Sequence, residues 1–357
     1  MLQCHSLRCR AVWLVLGLAL GSWLLWHAKG QEADAAVLGL RGEVKDKGWI
    51  LFSAKSEGGD YDLFLCRPDG SGRRNLTRTP EWNEYGGRFS PDSRRMLYRR
   101  QAKAAANPDE PINHDTWGAV GVLMMGNADG TGAEPQGREG EFPWASWGVG
   151  GKQFACLHRR EGRIRIFDTE TRQAVRELPR QGIFQQLYWS GDGKRFCGTA
   201  NLNGRDWNIL SLDAETGGMT QVSRNLACTA DWFQANPAQV VYSCRIPGLG
   251  SDYGITMLMH GGADGKSRGL IYGEAGRHVY YGCISPDDRY VVFSVSETDG
   301  GTDSGMRIMR LADGPVVVPA DFEALRELYP GARSGPVLAV GHPGFEPHWT
   351  YRDVGGS

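Results

Sequence analysis

The sequence predicts an all-β fold, a six-bladed β-propeller, because two independent features each recur six times. Six apolar runs end in an aromatic or aliphatic anchor residue, usually followed by a tight turn: Phe89, Trp147, Trp189, Trp232, Ile284 and Trp349. Six strand exits carry Asp-Gly or related turns, at residues 68–70, 128–130, 168–170, 213–215, 263–265 and 312–314. Asp bonds its own backbone in such turns, and Gly adopts positive φ without steric cost. A repeat of this period indicates stacked units that cannot bury their apolar faces alone.

The same order of strands recurs between successive anchors. After Phe89 the sequence predicts a second strand at residues 95–98, a long loop, a third strand at 120–125 and a short fourth strand. Third strands are also predicted at residues 62–65, 163–167, 207–210, 255–258 and 306–309. These segments mix apolar and polar residues at period two and are rich in β-branched and aromatic residues, which is typical of strands. Each repeat is therefore interpreted as a four-stranded blade.

The two ends of the repeat region predict how the ring closes. The first three strands, at residues 49–52, 62–65 and 75–77, match the second, third and fourth strands of a blade. The last motif, residues 345–349, matches an innermost strand. We therefore expect the C-terminal strand to complete the N-terminal blade. Such closure satisfies strand edges that would otherwise stay unpaired.

Two stretches interrupt the repeat. Residues 101–118 form a long loop between a second and a third strand, and residues 319–344 contain a short helix-like run at 321–329. Long insertions in a compact ring are more often functional or mobile than structural.

The N-terminus is typical of an export signal. Arg8 and Arg10 precede an uncharged apolar run of 16 residues from Ala11 to Trp26, and small residues follow it. This layout predicts a secretory signal peptide, or an uncleaved anchor that tethers the protein to a membrane. The predicted organisation is a signal at residues 1–30, a linker at 31–48, the propeller at 49–353 and a tail at 354–357.

Charge and cysteine content exclude several classes of function. The chain has 40 basic and 41 acidic residues, a net charge of −1, so nothing in the balance indicates nucleic-acid binding. No CxxC motif is present, so zinc and haem signatures are absent.

An exported protein can form disulfides. The six cysteines after the predicted signal are interpreted as buried strand residues that act as small hydrophobes: Cys66, Cys156, Cys197, Cys228, Cys244 and Cys283. The alternative is one disulfide, because a hairpin centred near Asn236 that pairs Trp232 with Val240 would place Cys228 opposite Cys244.

The repeat motifs resemble those of TolB-type propellers, also called PD40 or WD40-like repeats. The resemblance rests on Phe89-Ser90-Pro91-Asp92, Trp189-Ser190-Gly191-Asp192 and Ile284-Ser285-Pro286-Asp287, and it covers roughly residues 49–353. It implies a bacterial, periplasmic or secreted binding propeller. The family includes periplasmic scaffold proteins, peptidase propellers and oligogalacturonate lyases. TolB itself has an extra α/β domain before the propeller, for which this sequence leaves only about 20 residues. No hydrolase domain is predicted beside the propeller, so the resemblance does not imply a peptidase.

One face of the predicted ring is the better candidate for a ligand site. The Ser-Pro-Asp and Asp-Gly turns occupy one face, called here the turn face. The other, the loop face, carries the second-to-third-strand loops, where aromatic, acidic, arginine and histidine side chains are mixed. Such a mixture offers stacking surfaces, bidentate donors and acid–base groups. The candidate ligand-binding residues are His158, Arg205, Asp206, His278, Glu297 and Glu346.

Two functional hypotheses follow from these residues. The first is an exported, non-catalytic propeller that binds a carbohydrate, a peptide or a protein partner at the mouth of the ring, without a cofactor. The alternative is a metal-dependent enzyme acting on polysaccharide, similar to oligogalacturonate lyase. In that case the resemblance implies bound manganese or calcium. His158, His278 and His348 are the candidate metal ligands, with Gln185 or Gln186, although the lyase motif does not match residue by residue.

Overall fold

The computed structural model describes residues 34–103, 121–179, 182–202, 207–223, 226–249, 254–299 and 305–354. The predicted signal at residues 1–30 lies outside these ranges. Within them the protein is almost entirely β, and no helix is long and apolar enough to span a membrane.

Four sheets have four antiparallel strands each. The first contains β25 (Phe345–Thr350), β1 (Trp49–Lys55), β2 (Tyr61–Cys66) and β3 (Arg74–Asn75). The second contains β4 (Trp82–Phe89), β5 (Arg95–Ala102), β6 (Val122–Asn127) and β7 (Glu134–Pro135). The third contains β8 (Trp144–Trp147), β9 (Gln153–His158), β10 (Arg163–Asp168) and β11 (Ala174–Leu178). The fourth contains β12 (Ile183–Trp189), β13 (Arg195–Asn201), β14 (Trp207–Asp213) and β15 (Met219–Gln221).

The fifth sheet has nine strands, and it corrects the predicted blade count. It contains β16 (Ala227–Trp232), β17 (Gln239–Ile246), β18 (Ile255–Gly262), β19 (Arg268–Glu274), β20 (His278–Ile284), β21 (Tyr290–Ser296), β22 (Gly305–Arg310), β23 (Val316–Val318) and β24 (Leu338–Pro343). The structure therefore has four separate four-stranded blades, and the expectation of six is wrong.

Two predicted blades form one sheet because strands of one repeat pair with strands of the other. A count of sequence motifs does not reveal such pairing. Two antiparallel runs, β16-β17-β18-β19 and β20-β21-β22-β24, are joined where Thr256 of β18 pairs parallel with His278 of β20. In addition, β23 lies parallel to β19 and pairs with its residues 272–274. Along the chain, this strand and the helix α2 (Glu323–Leu328) come between β22 and β24. The helix α2 confirms the helix-like run predicted at residues 321–329.

Ring closure occurs as the sequence predicts. The C-terminal strand β25 pairs antiparallel with β1, for example His348 with Leu51 and Trp349 with Ile50. A helix that the sequence did not predict, α1 at residues 34–44, supports this junction, because Leu40 and Val44 are fully buried among residues of the first and fifth sheets. The apolar core lies mainly between neighbouring sheets, as propeller packing requires.

The cysteines are free thiols in strands, as the preferred interpretation expects, and all but Cys228 are buried. The alternative, a Cys228–Cys244 disulfide, is wrong because the hairpin register shifts. Val240 pairs with Trp232 as expected, but a bulge between Cys228 and Asp231 moves the pairing by one residue. Cys244 consequently lies opposite Ala227, and both cysteines are free thiols. Neighbouring positions on a strand point to opposite faces, so a one-residue shift separates the two sulfur atoms.

Candidate functional site

The strands β4, β8, β12, β16, β20 and β25 contact one another around the centre of the molecule. In each strand the residue before the anchor occupies the same place in the repeat. These equivalent residues are Arg88, Ser146, Tyr188, Asp231, Cys283 and His348. Five of the six line one central pocket of about 730 Å³ on the turn face. We call this cavity the turn-face pocket.

A buried ion pair crosses the floor of the turn-face pocket. The Nη1 atom of Arg88 in β4 lies 2.9 Å from Oδ2 of Asp231 in β16, and both side chains are about nine-tenths buried. The guanidinium also lies over the ring of Tyr188, 4.2 Å from its centroid. Burial raises the pKa of Asp231, while the charge of Arg88 opposes that rise. Arg88 therefore ties two different sheets together at the centre.

His348 is held as a neutral hydrogen-bond acceptor on the same floor. Its Nδ1 accepts the backbone N–H of Phe89 at 3.1 Å. Burial, with the nearby charge of Arg88, lowers the pKa of His348 well below its usual range. The proton of the neutral ring is therefore on Nε2.

Aromatic side chains and one arginine form the walls and rim of the pocket. Besides Tyr188, the lining contains Phe89, Trp147, Trp189, Trp349, Tyr351 and Arg352. Trp147 donates its indole N–H to the carbonyl of Arg88 at 3.0 Å, and Trp189 donates to Gly193 at 2.9 Å. These bonds hold the rings in place without any ligand.

Toward the loop face, β-bulges shape the centre. The residue two places before Arg88, Tyr188, Asp231, Cys283 or His348 has a positive φ: Gly86, Gln186, Thr229, Tyr281 and Glu346. A non-glycine residue in this region is strained by about 1–2 kcal/mol. The bulges explain the register shifts in these strands.

The predicted residue Glu346 pairs with Arg99 at this level. Arg99 Nη2 lies 2.7 Å from Oε1 and 3.0 Å from Oε2 of the carboxylate, and both residues are buried. The guanidinium also stacks on Trp144 at 4.1 Å. Among the described residues, the buried Tyr85 hydroxyl and Trp144 Nε1 have no hydrogen-bond partner. Two unused donors thus lie beside an ion pair.

A second predicted residue, His278, belongs to a neighbouring polar network. Its Nδ1 lies 3.2 Å from Thr256 Oγ1, and its ring stacks on Tyr280 with centroids 6.2 Å apart. Tyr280 donates to Asp299, which also accepts from Arg245 Nη2 at 2.5 Å. Burial lowers the pKa of His278. Aromatic contacts from Tyr280 through Tyr281 to Phe345 connect this network to the strand of Glu346.

The other predicted site residues fall elsewhere. His158, at the end of β9, lies 3.8 Å from both Glu141 and Glu161. The side chain of Glu297 is exposed and pairs with Arg277 at 2.9 Å. Arg205 and Asp206 lie outside the described residues.

His158, His278 and His348 have separate partners. In the part of the chain that the structure describes, no three His, Cys, Asp or Glu side chains are grouped as a metal ion would require. The metal-dependent alternative stays an untested prediction.

Sequence reasoning missed the residues with the strongest contacts, namely Arg88, Tyr188, Asp231 and Arg99. The first three share the repeat position before the anchor, so aligning the six repeats was a usable signal. Arg99 lies within β5, at a position that does not precede an anchor residue, so alignment of the repeats would not have found it.

Comparison with known proteins supports the fold. No family model and no curated protein sequence matches the chain. Among solved structures, TolB from Acinetobacter baumannii is similar with a TM-score of 0.59 and 15% identity, covering 85% of this chain and 67% of that one. A protein assigned as TolB from Agrobacterium tumefaciens gives 0.54 and 15%, covering 82% and 87%. A chain of a nidogen/laminin complex gives 0.52 and 12%, covering 74% and 90%. The resemblance to TolB-type propellers is thereby confirmed at the level of the fold.

Proposed function

We propose that the protein is an exported binding propeller whose turn-face pocket accepts an extended segment of a partner protein. The observation that carries this proposal is the pocket itself, a central cavity of about 730 Å³ with aromatic walls. Export is supported by the N-terminal apolar run after Arg8 and Arg10. Binding, without catalysis, is the proposed role.

The chemistry of the lining suits a peptide. Trp, Tyr and Arg are the residues that most often dominate binding energy in protein interfaces, and Trp189, Tyr188 and Arg352 all line this cavity. Arg88 and Asp231 neutralise each other on the floor. The exposed Arg352 at the rim forms no ion pair with any residue that the structure describes, so its charge is available to a partner. An acidic or amide-bearing residue of the partner would pair with it.

A library of random peptides displayed on phage and panned on the purified protein tests this proposal. Peptides that bind should lose about tenfold or more in affinity on Trp189→Ala or Arg352→Ala, the usual range for interface anchors. The matched control is Arg176→Ala, an exposed arginine on the outer strand β11. If no peptide is enriched, or if pocket and control variants bind equally, the proposal is wrong.

A second candidate places a polar ligand, such as a carbohydrate or a carboxylate, at the loop face. The specific observation is the pair of unused buried donors, Tyr85 O–H and Trp144 N–H, beside Arg99 and Glu346. The sequence-based candidates His158, Arg205, Asp206, His278, Glu297 and Glu346 belong to this proposal. Arg205→Ala and His278→Ala should then weaken binding in a glycan screen by about tenfold. Changes in the turn at Asp264 should not.

A further inference from the structure

A second cavity lies on the side of the ring, away from the centre, and involves the insertion before β24. Its volume is about 450 Å³, and we call it the side pocket. Its walls come from the end of the fourth sheet, from β17 and β18, and from the residues that follow α2. The insertion noted in the sequence thus forms one wall of a cavity.

The floor of the side pocket is apolar. Val222, Tyr242 and Met259 are almost completely buried and belong to one core cluster. Tyr329 closes the floor from the insertion and donates its hydroxyl to Met259 Sδ at 3.8 Å. Leu328 is 55% exposed at the edge, so an apolar surface extends outward from the floor.

Two polar groups of the side pocket have no partner among the residues that the structure describes. Tyr242 is only 2% exposed and lines the cavity, yet within the described ranges its hydroxyl makes no hydrogen bond. The hydroxyl oxygen is not one of the buried polar atoms without a partner, so it is open to the cavity and can donate to a bound acceptor there. Arg268 at the rim likewise pairs with no carboxylate in the described parts of the chain, whereas its neighbour Lys266 pairs with Asp264 at 3.8 Å.

The charge of Arg268 at the rim reaches the residues of the floor. Its charge acts on Tyr242, Cys244 and Tyr329, in each case against the larger effect of burial. Burial raises the pKa of the Cys244 thiol to about 11, so this residue stays a neutral part of the lining. A positive donor and a neutral O–H donor therefore lie beside one apolar cavity.

We propose that the side pocket binds a small amphiphilic carboxylate. The carboxylate would accept hydrogen bonds from Arg268 and from the Tyr242 hydroxyl, because an ionised carboxyl group only accepts and pairs well with a guanidinium. The apolar body would cover Val222, Met259 and Tyr329. A cation of the same size would be repelled by Arg268, and a neutral alcohol would leave the guanidinium unpaired.

Titration calorimetry of the purified protein with octanoate, octan-1-ol and octylammonium tests this inference. Octanoate should bind about tenfold or more tightly than the other two, the range for one charge-assisted pair. Arg268→Ala should remove that preference and leave octan-1-ol unaffected, and Tyr242→Phe should weaken octanoate about threefold to tenfold. Arg176→Ala is the matched control and should change nothing. Arg268 and Arg176 are exposed, so replacing either one leaves the core intact.

The inference is wrong if octanoate gives no saturable heat, if octan-1-ol binds equally well, or if Arg176→Ala loses as much affinity as Arg268→Ala.

Discussion

Removing one partner of the Arg88–Asp231 pair should destabilise the protein far more than removing both. The atoms that pair are 2.9 Å apart, and the two side chains are only 11% and 8% exposed. Arg88 lies in the second sheet and Asp231 in the nine-stranded sheet, so the pair connects separate parts of the ring.

The magnitude follows from the surroundings of each charge. Asp231→Leu leaves the Arg88 guanidinium buried against the Tyr188 ring and the Cys283 thiol, and an uncompensated buried charge costs about 3–5 kcal/mol. Arg88→Met leaves a carboxyl group whose pKa burial already raises, so it can take up a proton. This single variant should therefore lose less stability at pH 5 than at pH 8.

The double variant Arg88→Met/Asp231→Leu removes both charges and keeps side chains of similar volume. Replacing a whole buried pair by apolar groups is often close to neutral, so we expect a loss of about 1 kcal/mol or less. The coupling between the two sites should then be about 3 kcal/mol.

Urea unfolding at pH 7, followed by tryptophan fluorescence on all four proteins, measures this coupling. The exposed pair of Arg95 and Glu170, 2.8 Å apart, is the matched control and should give less than about 1 kcal/mol. If the Arg88 and Asp231 single variants are additive within about 0.5 kcal/mol, the buried charges do not interact as described.

Three further outcomes are expected. Trp349→Ala, in the closing strand, should cost about 3–5 kcal/mol because the side chain is 2% exposed and donates to Lys47; an unchanged melting temperature would contradict the closure. His348→Asn keeps an acceptor but cannot be protonated. Burial depresses the pKa of His348 in the folded protein, whereas the unfolded chain takes up a proton below about pH 6.5. The free energy of unfolding should therefore fall by about 1.4 kcal/mol per pH unit as the pH drops below that value. Urea unfolding at several pH values should show that the free energy of unfolding depends less on pH in the variant than in the unaltered protein. An equal pH dependence would refute the assignment of this effect to His348. Arg172 has a φ of +58° where the matching turn of the next blade has Gly217, so Arg172→Gly should raise stability by about 1 kcal/mol in the same assay. A loss would mean that contacts of the arginine outweigh its backbone strain.

Much of the fold could be predicted because its causes are local in the chain. The apolar runs ending at Phe89 or Trp189 depend on the pleat of single strands, and the Asp-Gly turns depend on φ and on one side-chain bond. The split first blade was also predicted, because residues 49–77 match the second to fourth strands of a blade and residues 345–349 match an innermost strand. The pairing of β25 with β1 confirms the predicted closure.

Other features were decided only in three dimensions. The bulge at Thr229 arises where an innermost strand bends into the centre, and it moved Cys228 out of register with Cys244. Pairing between β18 and β20, and between β23 and β19, merged two repeats into one sheet.

The candidate sites show the same division between local pattern and tertiary placement. The sequence marked Glu346 and His278, but their partners Arg99 and Thr256 come from other strands. Arg88 and Asp231 are 143 residues apart and meet only because the ring brings their strands to a common centre. Strand type and turn type depend on neighbouring residues, so the sequence alone determined them. The ion pairs and pockets form between side chains of different sheets. Which side chains meet depends on the orientation of each sheet in the ring and on the bulges in its innermost strand, so only the tertiary structure decided it.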